Sequence, residues 1–532
     1  MTRDASVRFW HAMYVAALLA LFAIGAWLQS QVHLNHDVGW ILRSSGWLLE
    51  GRRFGSGVLD PNPPLIWFVS LPAAAVVRAG WLSEPVALRL YIWVLCALAI
   101  LLCHRVMRPM RSHGQRSESI VLVLAITAAC TLLPAAAYGQ REFLSFVFSM
   151  PYCLLAAGRI SYGAGYSSRL AVVVGMLAGV GFAFKPWLLA VPFGIEVIHF
   201  AHRRRLRECL RPETLALGAT IGAYLIAVLV VASDYLTGAI PLIRAVYWAY
   251  ENATLAQMLS GTDGVLEMVA ISAVLLLLAR RFGSYTQVLV VALLGFTFSY
   301  WVQKKGFAYH AYPMIAAAFV LLAYSVVCAT RRLLANEMTA PLRISLPLFL
   351  VLLFVVYHPV SQRLSSVNKW FGSYRMDSGV QGLARQALID RVNALAGEGD
   401  YVYAFSTHPY PAFPTLNYVR AEWASSMPCQ FILPAHAKRK GITEQQRLRQ
   451  VDAAVVRLRE TVAAEFLRYR PRVVLVNTSF RRLGLGYSKF DDVAFYSEDP
   501  RFSDLWRHYE LVRGVDGLPN IKIFVRSPEE RT

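Results

Sequence analysis

Long apolar runs separated by short polar or basic segments dominate the first two thirds of the chain. A membrane-spanning helix needs roughly 20 mostly apolar residues. Runs of nearly that length lie near 12–31, 86–104, 119–137, 143–158, 170–184, 186–200, 214–234, 264–279, 286–302, 313–330 and 344–358. Another apolar run, 64–80, is short and contains Pro64 and Pro72, so we predict a juxtamembrane or re-entrant element there. The pattern predicts a polytopic α-helical membrane protein with about 11 transmembrane helices.

The pattern changes after His358 to short alternating runs between helical segments. Strands are predicted at 401–407, 472–480 and 521–527, and a long amphipathic helix at 442–469. We therefore predict two domains. Residues 1–358 form a transmembrane domain with a large first outer loop at 32–85, and residues 359–532 form an outer-side α/β domain of ordinary size.

Composition agrees with a membrane protein rather than a soluble one. The chain has 532 residues, of which 56% are hydrophobic and 16% charged. The 7 cysteines include no CxxC pair, so a disulfide framework or structural zinc site is not expected. The apolar run after the basic N-terminus lacks a clear small-residue cleavage site, so we expect it to be retained as the first span.

The formal net charge is +20, and its distribution predicts the topology. Cytoplasmic loops of membrane proteins collect Lys and Arg, so this excess does not require a nucleic-acid partner, and we predict none. With the N-terminus in the cytoplasm and 64–80 not counted as a span, every arginine cluster falls on the cytoplasmic side. We expect a multi-pass protein of the inner (plasma) membrane with a periplasmic C-terminal domain. The clusters lie at 105–116, 203–211, 280–281 and 331–332.

This topology gathers the unusual polar residues of the chain at the outer face. They are Asp37, Asp60, Arg141, Glu142, Lys185, Glu251, Lys304, Lys305 and His310. Acids at a membrane boundary are functional candidates because desolvating them is costly, although a solvated polar loop would also account for the first two. The segment 241–253 predicts an amphipathic helix, either on the membrane surface or packed under the outer domain.

Each charged element also has a structural explanation. Arg141 and Glu142 could form a self-neutralising interfacial pair, and Lys185 could extend to the lipid headgroups. Lys304 and Lys305 are different because two outer-side lysines oppose the positive-inside bias. They favour an anionic partner such as a phosphate.

Motifs for several common chemistries are missing. The sequence has no Walker A loop, no GxGxxG after a strand, no GxSxG elbow and no HExxH. Nucleotide hydrolysis, hydride transfer and zinc proteolysis therefore have no support. Acids that can accept a proton and cations that can hold a phosphate, at the depth of the lipid headgroups, favour chemistry on a lipid-linked phosphate.

The sequence resembles the C-type membrane glycosyltransferases (GT-C fold), in particular bacterial protein O-mannosyltransferases and the aminoarabinose transferases that modify lipid A. The resemblance covers roughly residues 10–330. It departs from the family at Asn62, where a lysine often lies, and in a missing middle glycine at 181–186. The segments that carry it are Asp37 after the first span, the turn Asp60-Pro61-Asn62-Pro63-Pro64-Leu65, Arg141-Glu142, Gly181–Pro186 and Lys304–Pro313.

The resemblance implies inverting transfer of a sugar from a polyprenyl-phosphate donor to a lipid, glycan or protein acceptor at the outer face. Asp37 would be the general base. Arg141, Lys185, Lys304 and Lys305 would bind the phosphate, His310 would donate a hydrogen bond, and Glu142 would orient a cation or the acceptor. No cofactor is certain, but an oxygen-ligand site made by Asp37, Asp60 and Glu142 leaves a divalent metal open.

Two other functions fit part of the pattern. A transporter or flippase of lipid-linked saccharides would share the spans and the outer-face cations, but would also place ionisable residues near the bilayer midplane. An assembly protein would use the outer domain and need the spans only as an anchor. The charges lie at span ends, which favours an enzyme over a transporter, and about eleven spans exceed what anchoring requires.

Overall fold

A computed structural model describes residues 3–163, 165–260, 262, 264–335, 380–487 and 489–527. The predicted span 344–358 and the predicted domain boundary at 358/359 lie outside these residues. The helices are α1 Arg3–Ser30, α2 His36–Leu49, α3 Leu65–Arg78, α4 Glu84–Val106, α5 Arg108–Ser112, α6 Arg116–Thr131, α7 Arg141–Tyr162, α8 Ser168–Ala183, α9 Ala190–Arg203, α10 Pro212–Val231, α11 Ile240–Val246, α12 Leu255–Ser260, α13 Val265–Ala279, α14 Ser284–Gln303, α15 Tyr312–Leu334, α16 Val380–Leu395, α17 Leu433–Lys438, α18 Gln445–Tyr469, α19 Asp492–Tyr496 and α20 Pro500–Trp506. The strands are β1 Tyr401–Phe405, β2 Glu422–Trp423, β3 Val473–Asn477, β4 Arg481–Arg482, β5 Gly486–Tyr487, β6 Tyr509–Val512 and β7 Ile521–Arg526.

Within the described residues, 6 helical stretches are long and apolar enough to cross a membrane, which makes this a helical membrane protein with a small C-terminal sheet. The other predicted spans among these residues form shorter helices, α6, α8, α9 and α13. The run at 64–80 forms the short apolar helix α3. The long stretches are His11–Ser30, Glu84–Ser112, Arg141–Tyr162, Pro212–Val231, Ser284–Gln303 and Ala308–Leu334.

The chain forms two compact units, and neither is continuous in sequence. The first unit contains residues 1–31, 92–225 and 252–374, and the second contains 32–91, 226–251 and 375–532, in each case as far as these residues are described. The predicted first outer loop thus belongs to the same unit as the C-terminal sheet.

The centre of the first unit is helix α7. Every residue from Arg141 to Gly158 is buried, and the helix packs against α8, α9, α14 and α15. A helix that is apolar and covered on all sides belongs to the interior of a large helical assembly. The polar first turn of α7, which holds Arg141 and Glu142, is therefore inside protein.

Two glycines allow neighbouring helices of the first unit to approach closely. A Cβ on Gly175 of α8 would lie 2.1 Å from the carbonyl oxygen of Glu213, and a Cβ on Gly295 of α14 would lie 2.6 Å from a methyl carbon of Val191. Small residues are enriched where membrane helices cross, because they let the backbones meet. These crossings fix the positions of the loops that follow α8 and α14.

The second unit is built on a mixed five-stranded sheet in the order β2-β1-β3-β7-β6. Strand β1 pairs in parallel with β2 and β3, and β7 pairs antiparallel with β3 and β6. Helix α18 covers one face, where the rings of Phe405 and Phe466 stack at 5.8 Å. The predicted strands at 401–407, 472–480 and 521–527 and the predicted helix at 442–469 are confirmed as β1, β3, β7 and α18.

The predicted loop 32–85 is largely helical. Asn35 caps α2, and its side chain accepts a hydrogen bond from the backbone N–H of Asp37. Helix α2 packs against α3. Arg43 of α2 donates to Glu84 at 3.0 Å and to the carbonyl oxygen of Leu416 at 2.5 Å. This arginine joins α2 to the segment between β1 and β2.

The segment 241–253 packs on the α/β part of the second unit. It forms α11 and a 3₁₀ turn at Tyr247–Ala249, and α11 contacts α18. The guanidinium of Arg447 lies 4.3 Å from the centre of the Trp248 ring, and Lys438 donates to the carbonyl oxygen of Ala249 at 2.7 Å. Of the two predictions for this segment, the packed helix is the one confirmed.

Candidate functional site

Four side chains of the first unit meet around one carboxylate, and we call them the Glu142 cluster: Glu142, Lys185, Gln303 and His310. The Nζ of Lys185 forms an ion pair with Glu142 Oε1 and donates to Gln303 Oε1. The same Nζ lies 3.1 Å from His310 Nε2, which in turn lies 3.4 Å from Glu142 Oε1. The sequence placed three of these residues at one membrane face, and the structure brings them into contact.

Each member of the Glu142 cluster sits at the end of a helix. Glu142 is in the first turn of α7, and Gln303 is the last residue of α14. Lys185 has extended backbone between α8 and the 3₁₀ turn Pro186–Leu189, and His310 belongs to the 3₁₀ turn Ala308–Ala311 that leads into α15. Residues far apart in sequence converge here because their helices end at the same level.

The Glu142 cluster is buried. The side chains of Glu142, His310 and Lys185 are only 3%, 6% and 11% exposed. Because an ammonium can only donate, His310 Nε2 accepts from Lys185 and the ring carries its proton on Nδ1. That Nδ1 has no hydrogen-bond partner among the described residues. A buried donor in this state is suited to an oxygen of a ligand.

The three other predicted cations differ in how directly they act on the Glu142 cluster. The charge of Arg141 acts on Glu142 and His310, and the charge of Lys305 acts on His310. Lys305 also donates to Asn252 at 3.3 Å. Lys304 is exposed. Its backbone is left-handed (φ 51°), and its carbonyl oxygen accepts from Ala253.

A second ionic network of the first unit joins α7, α9 and α10. Glu213 accepts from Arg159 at 2.6 and 2.9 Å and from Arg211 at 2.9 Å. Arg211 also donates to Glu196 at 2.6 Å, and Glu196 accepts from the hydroxyl of Tyr152 at 2.8 Å. These ion pairs and hydrogen bonds hold the three helices together, although Glu196 Oε2 is buried without a hydrogen-bond partner among the described residues.

In the second unit, the predicted base lies in a group that we call the Asp37 cluster: His36, Asp37 and His408. His36 Nε2 is 3.5 Å from Asp37 Oδ1, and the rings of His36 and His408 are 4.2 Å apart at their centres. The Asp37 side chain is 24% exposed. It lies in the first turn of α2, where the helix dipole favours a negative charge.

Local geometry fixes the tautomer of His408. The backbone N–H of Tyr410 donates to His408 Nδ1 at 3.1 Å, so the proton of the neutral ring is on Nε2. Burial and, to a smaller extent, the nearby His36 lower the pKa of His408 to about 4, while Asp37 opposes this shift. His408 is therefore neutral at pH 7.

The Asp37 cluster lies at the carboxyl end of the parallel strands. His408 follows β1 by three residues, and its backbone N–H donates to Ser406 Oγ at 3.2 Å. Asn477, the last residue of β3, donates to the same hydroxyl at 3.5 Å. Open α/β sheets bind ligands at the carboxyl ends of their strands, so this edge is a favourable place for a substrate.

The contacts of Asp60 indicate a structural role. It is buried, accepts from the indole N–H of Trp40 at 2.8 Å and accepts from the backbone N–H of Asn62 at 2.7 Å. These contacts hold the Asp60–Pro64 turn against α2. The described residues contain no group of three or more His, Cys, Asp or Glu side chains that could hold a metal ion.

Three residues of these clusters were not predicted from the sequence: His36, Gln303 and His408. His36 and Gln303 are direct neighbours of predicted site residues. His408 directly follows a predicted strand, and that position was the signal that could have identified it. Among known proteins, no family model matches the chain, and no curated protein sequence matches it either.

Proposed function

We propose that the protein is a glycosyltransferase that moves a hexose or pentose from a polyprenyl-phosphate donor to an acceptor at the outer face of the inner membrane. The Glu142 cluster is the observation that carries this proposal. Three cations act on this cluster: Lys185, Arg141 and Lys305. Its only carboxylate is that of Glu142, so positive charge is in excess. A buried site with this positive excess favours an anion over a neutral or cationic ligand.

The phosphate of the donor is the anion that suits this site. Negative charge grows on it as the sugar leaves, and fixed cations stabilise such developing charge most when water is excluded. His310 Nδ1–H, buried and without a partner among the described residues, would donate to a phosphate oxygen. Leaving a buried donor unpaired costs about 1–3 kcal/mol, and the ligand would recover that cost. Glu142 holds Lys185 in position. In this proposal Lys304, which is exposed, attracts the donor phosphate before it enters the site.

In the proposed reaction, Asp37 takes the proton from the acceptor hydroxyl. The hydroxyl oxygen forms a bond to the anomeric carbon, and the bond from that carbon to the phosphate oxygen breaks. Its electron pair leaves with polyprenyl phosphate, so the configuration inverts. A positioned general base typically contributes ~10²–10⁴-fold to the rate. Partial exposure of Asp37 at the carboxyl edge of the sheet supports this role. Asp60, which is held by Trp40, supports the loop rather than the chemistry.

The proposal includes a topology of about 11 spans with the N-terminus in the cytoplasm and the C-terminal domain in the periplasm. Gly283 and Gly397 are matched positions for its test, since a Cβ at either meets nothing within 4 Å. In a background with Cys209, the one described cysteine that is not buried, changed to Ser, Gly397→Cys should react with an impermeant thiol reagent in intact cells. Gly283→Cys should react only after lysis. The reverse pattern would contradict the topology.

The activity is tested with purified protein and a polyprenyl-phosphate sugar. We expect release of polyprenyl phosphate in the presence of acceptor, and we expect Asp37→Asn to abolish it while the protein stays folded. Asp504→Asn, at a carboxylate that is 68% exposed, is the matched control and should leave the rate unchanged. If wild-type protein releases no polyprenyl phosphate with any lipid, glycan or protein acceptor, the proposed function is wrong. If Asp37→Asn keeps near wild-type turnover, only the assignment of the base is wrong.

A specific observation favours the alternative, a transporter or flippase of lipid-linked saccharides. Tyr152, in the middle of the candidate span Arg141–Tyr162, donates to Glu196, and ionisable residues at such depth mark transport pathways. The variant Glu196→Gln distinguishes the two functions. A transporter should lose movement of lipid-linked saccharide across proteoliposomes, whereas the glycosyltransferase should keep donor cleavage.

A further inference from the structure

A cavity of about 400 Å³ lies in the second unit, away from the Asp37 cluster. Its walls come from the second half of α2, the end of α3 and the amino ends of β1 and β2, with Tyr401 and Glu422 at the strand ends. Trp47 of α2 lines it and is ten residues after Asp37, or about 15 Å along the helix axis. The volume is within the range of small-molecule sites.

The charges of the cavity wall balance. Three arginines and three glutamates line it: Arg43, Arg52, Arg78, Glu50, Glu84 and Glu422. Glu50 pairs with Arg78 and lies 3.5 Å from Arg52. Arg43 pairs with Glu84 at 3.0 Å and Glu422 at 3.5 Å.

This balance excludes two classes of ligand. A phosphate or carboxylate would meet three carboxylates and gain no net charge from the wall, and an apolar ligand would desolvate ions without replacing their hydrogen bonds. A neutral ligand with many hydroxyl groups avoids both problems. Each hydroxyl can donate to a carboxylate and accept from a guanidinium, so the hydrogen bonds of the wall are replaced without adding a charge.

Three aromatic side chains of the lining, Trp47, Tyr401 and Trp423, are held in place by contacts of their own. Trp423 is buried, and its indole N–H donates to the carbonyl oxygen of Met427 at 2.9 Å. Arg52 stacks 4.3 Å over Trp47, and Tyr401 packs against Tyr469 at 4.9 Å. Side chains held in this way bind a ligand without losing further conformational freedom.

We propose that this cavity binds a neutral saccharide. Binding by the cavity stands on its own lining. The further assignment of that saccharide to the acceptor of the transfer, held about 15 Å along α2 from the base, rests on the proposed function.

The test compares two substitutions at Gly46 of α2, which lines the cavity. A Cβ there lies 3.4 Å from Arg78 Cδ, an ordinary contact with a flexible side chain. Gly46→Ala therefore keeps most of the space, whereas Gly46→Leu fills it. Glu422→Ala is a second variant, since this side chain is 52% exposed and its loss does not disturb the core. Full-length protein in detergent is applied to an array of neutral and acidic oligosaccharides.

We expect wild type and Gly46→Ala to retain neutral oligosaccharides. Gly46→Leu and Glu422→Ala should bind them more weakly by about tenfold or more, the effect of one or two lost hydrogen bonds. If Gly46→Leu does not fold, Glu422→Ala alone decides. Preference for acidic glycans, retention of none, or equal binding by the variants overturns the proposal. Release of polyprenyl phosphate from the donor is measured separately, so failure of the proposed function appears as loss of that signal with glycan binding intact.

Discussion

The rings of His36 and His408 lie 4.2 Å apart at their centres, although 371 positions separate them in the chain. This contact brings the first turn of α2 to the loop after β1. His408 is partly buried and neutral beside Asp37, mainly because of desolvation, and a neutral base there has a measurable consequence for stability.

Substitution of His408 by Asn should remove part of the acid sensitivity of the protein. The pKa of His408 is lowered to about 4 by burial, with a further contribution from His36, against about 6.5 in the unfolded chain. The unfolded state therefore binds more protons between these values, and wild-type stability falls as pH decreases from about 6.5 to 4, by on the order of 3 kcal/mol. His408→Asn cannot gain this proton and should show a smaller loss.

The measurement is the unfolding midpoint at pH 7.5 and at pH 5 in the same detergent. His508→Asn, at an exposed histidine, serves as the control and should follow wild type. A pH dependence of His408→Asn equal to that of wild type would contradict the assignment.

The carboxyl group of Glu465 should produce the opposite pH dependence. Burial raises its pKa to about 7, although Ser426 and Tyr403 donate to it. An acid with a raised folded pKa binds more protons in the folded state, so stability is full below about 4.5 and decreases as pH rises to 7 and above. Glu465→Gln avoids ionisation and can still accept from Ser426. We expect it to stabilise the protein at pH 8 by up to about 3 kcal/mol and to have little effect at pH 4.5. Urea titrations at the two pH values measure this, and destabilisation at pH 8 would refute it.

Removal of one partner of the ion pair between Glu142 and Lys185 should destabilise the protein more than removal of both partners. Lys185→Met leaves a buried carboxylate without its main counter-charge, which typically costs about 3–5 kcal/mol. The double variant Lys185→Met, Glu142→Gln has no buried charge left at this pair and should be more stable than Lys185→Met alone. Unfolding midpoints in detergent test this. Lys440→Met, at an exposed lysine, should be neutral, and additive effects of the two cluster substitutions would count against a direct pair.

Two glycines of α2 should respond differently to alanine. A Cβ on Gly39 would lie 2.1 Å from Asn417 Oδ1, and Asn417 donates both to the carbonyl oxygen of Gly39 and to Glu84. Gly39→Ala must displace this side chain, and we expect a loss of about 1–3 kcal/mol in stability. We also expect a lower rate of the proposed transfer, since Asp37, the proposed base, is two residues away. Gly46→Ala meets no such atom and should gain up to about 1 kcal/mol of helix propensity. Parallel measurements of unfolding and turnover on this pair separate backbone crowding from a general effect of alanine, and equal behaviour would exclude crowding.

Much of the architecture could be predicted because it depends on local patterns. Alternating apolar positions gave β1, β3 and β7, and a 3.6-residue period gave α18. The arrangement of Glu142, Lys185 and His310 at one level followed from counting spans and arginines. Hydropathy could not show that α7 is covered on every side, because lipid and protein interiors favour the same residues. Nor could it show that Asp60 is held by Trp40 or that His408 lies beside His36, since such contacts depend on tertiary packing between distant segments.

Burial of α7 from Arg141 to Gly158 has a consequence for how the protein is assembled in the membrane. An isolated helix with Arg141 and Glu142 in its first turn and Arg159 in its last turn would expose these charges, and its polar side chains, to lipid until its neighbours arrive. Two of those neighbours, α14 and α15, are synthesised more than a hundred residues later. Residues 141–162 therefore reach their final environment only after residues 284–334 have entered the bilayer, so truncation before residue 284 should leave α7 a target for membrane quality control rather than a folded core.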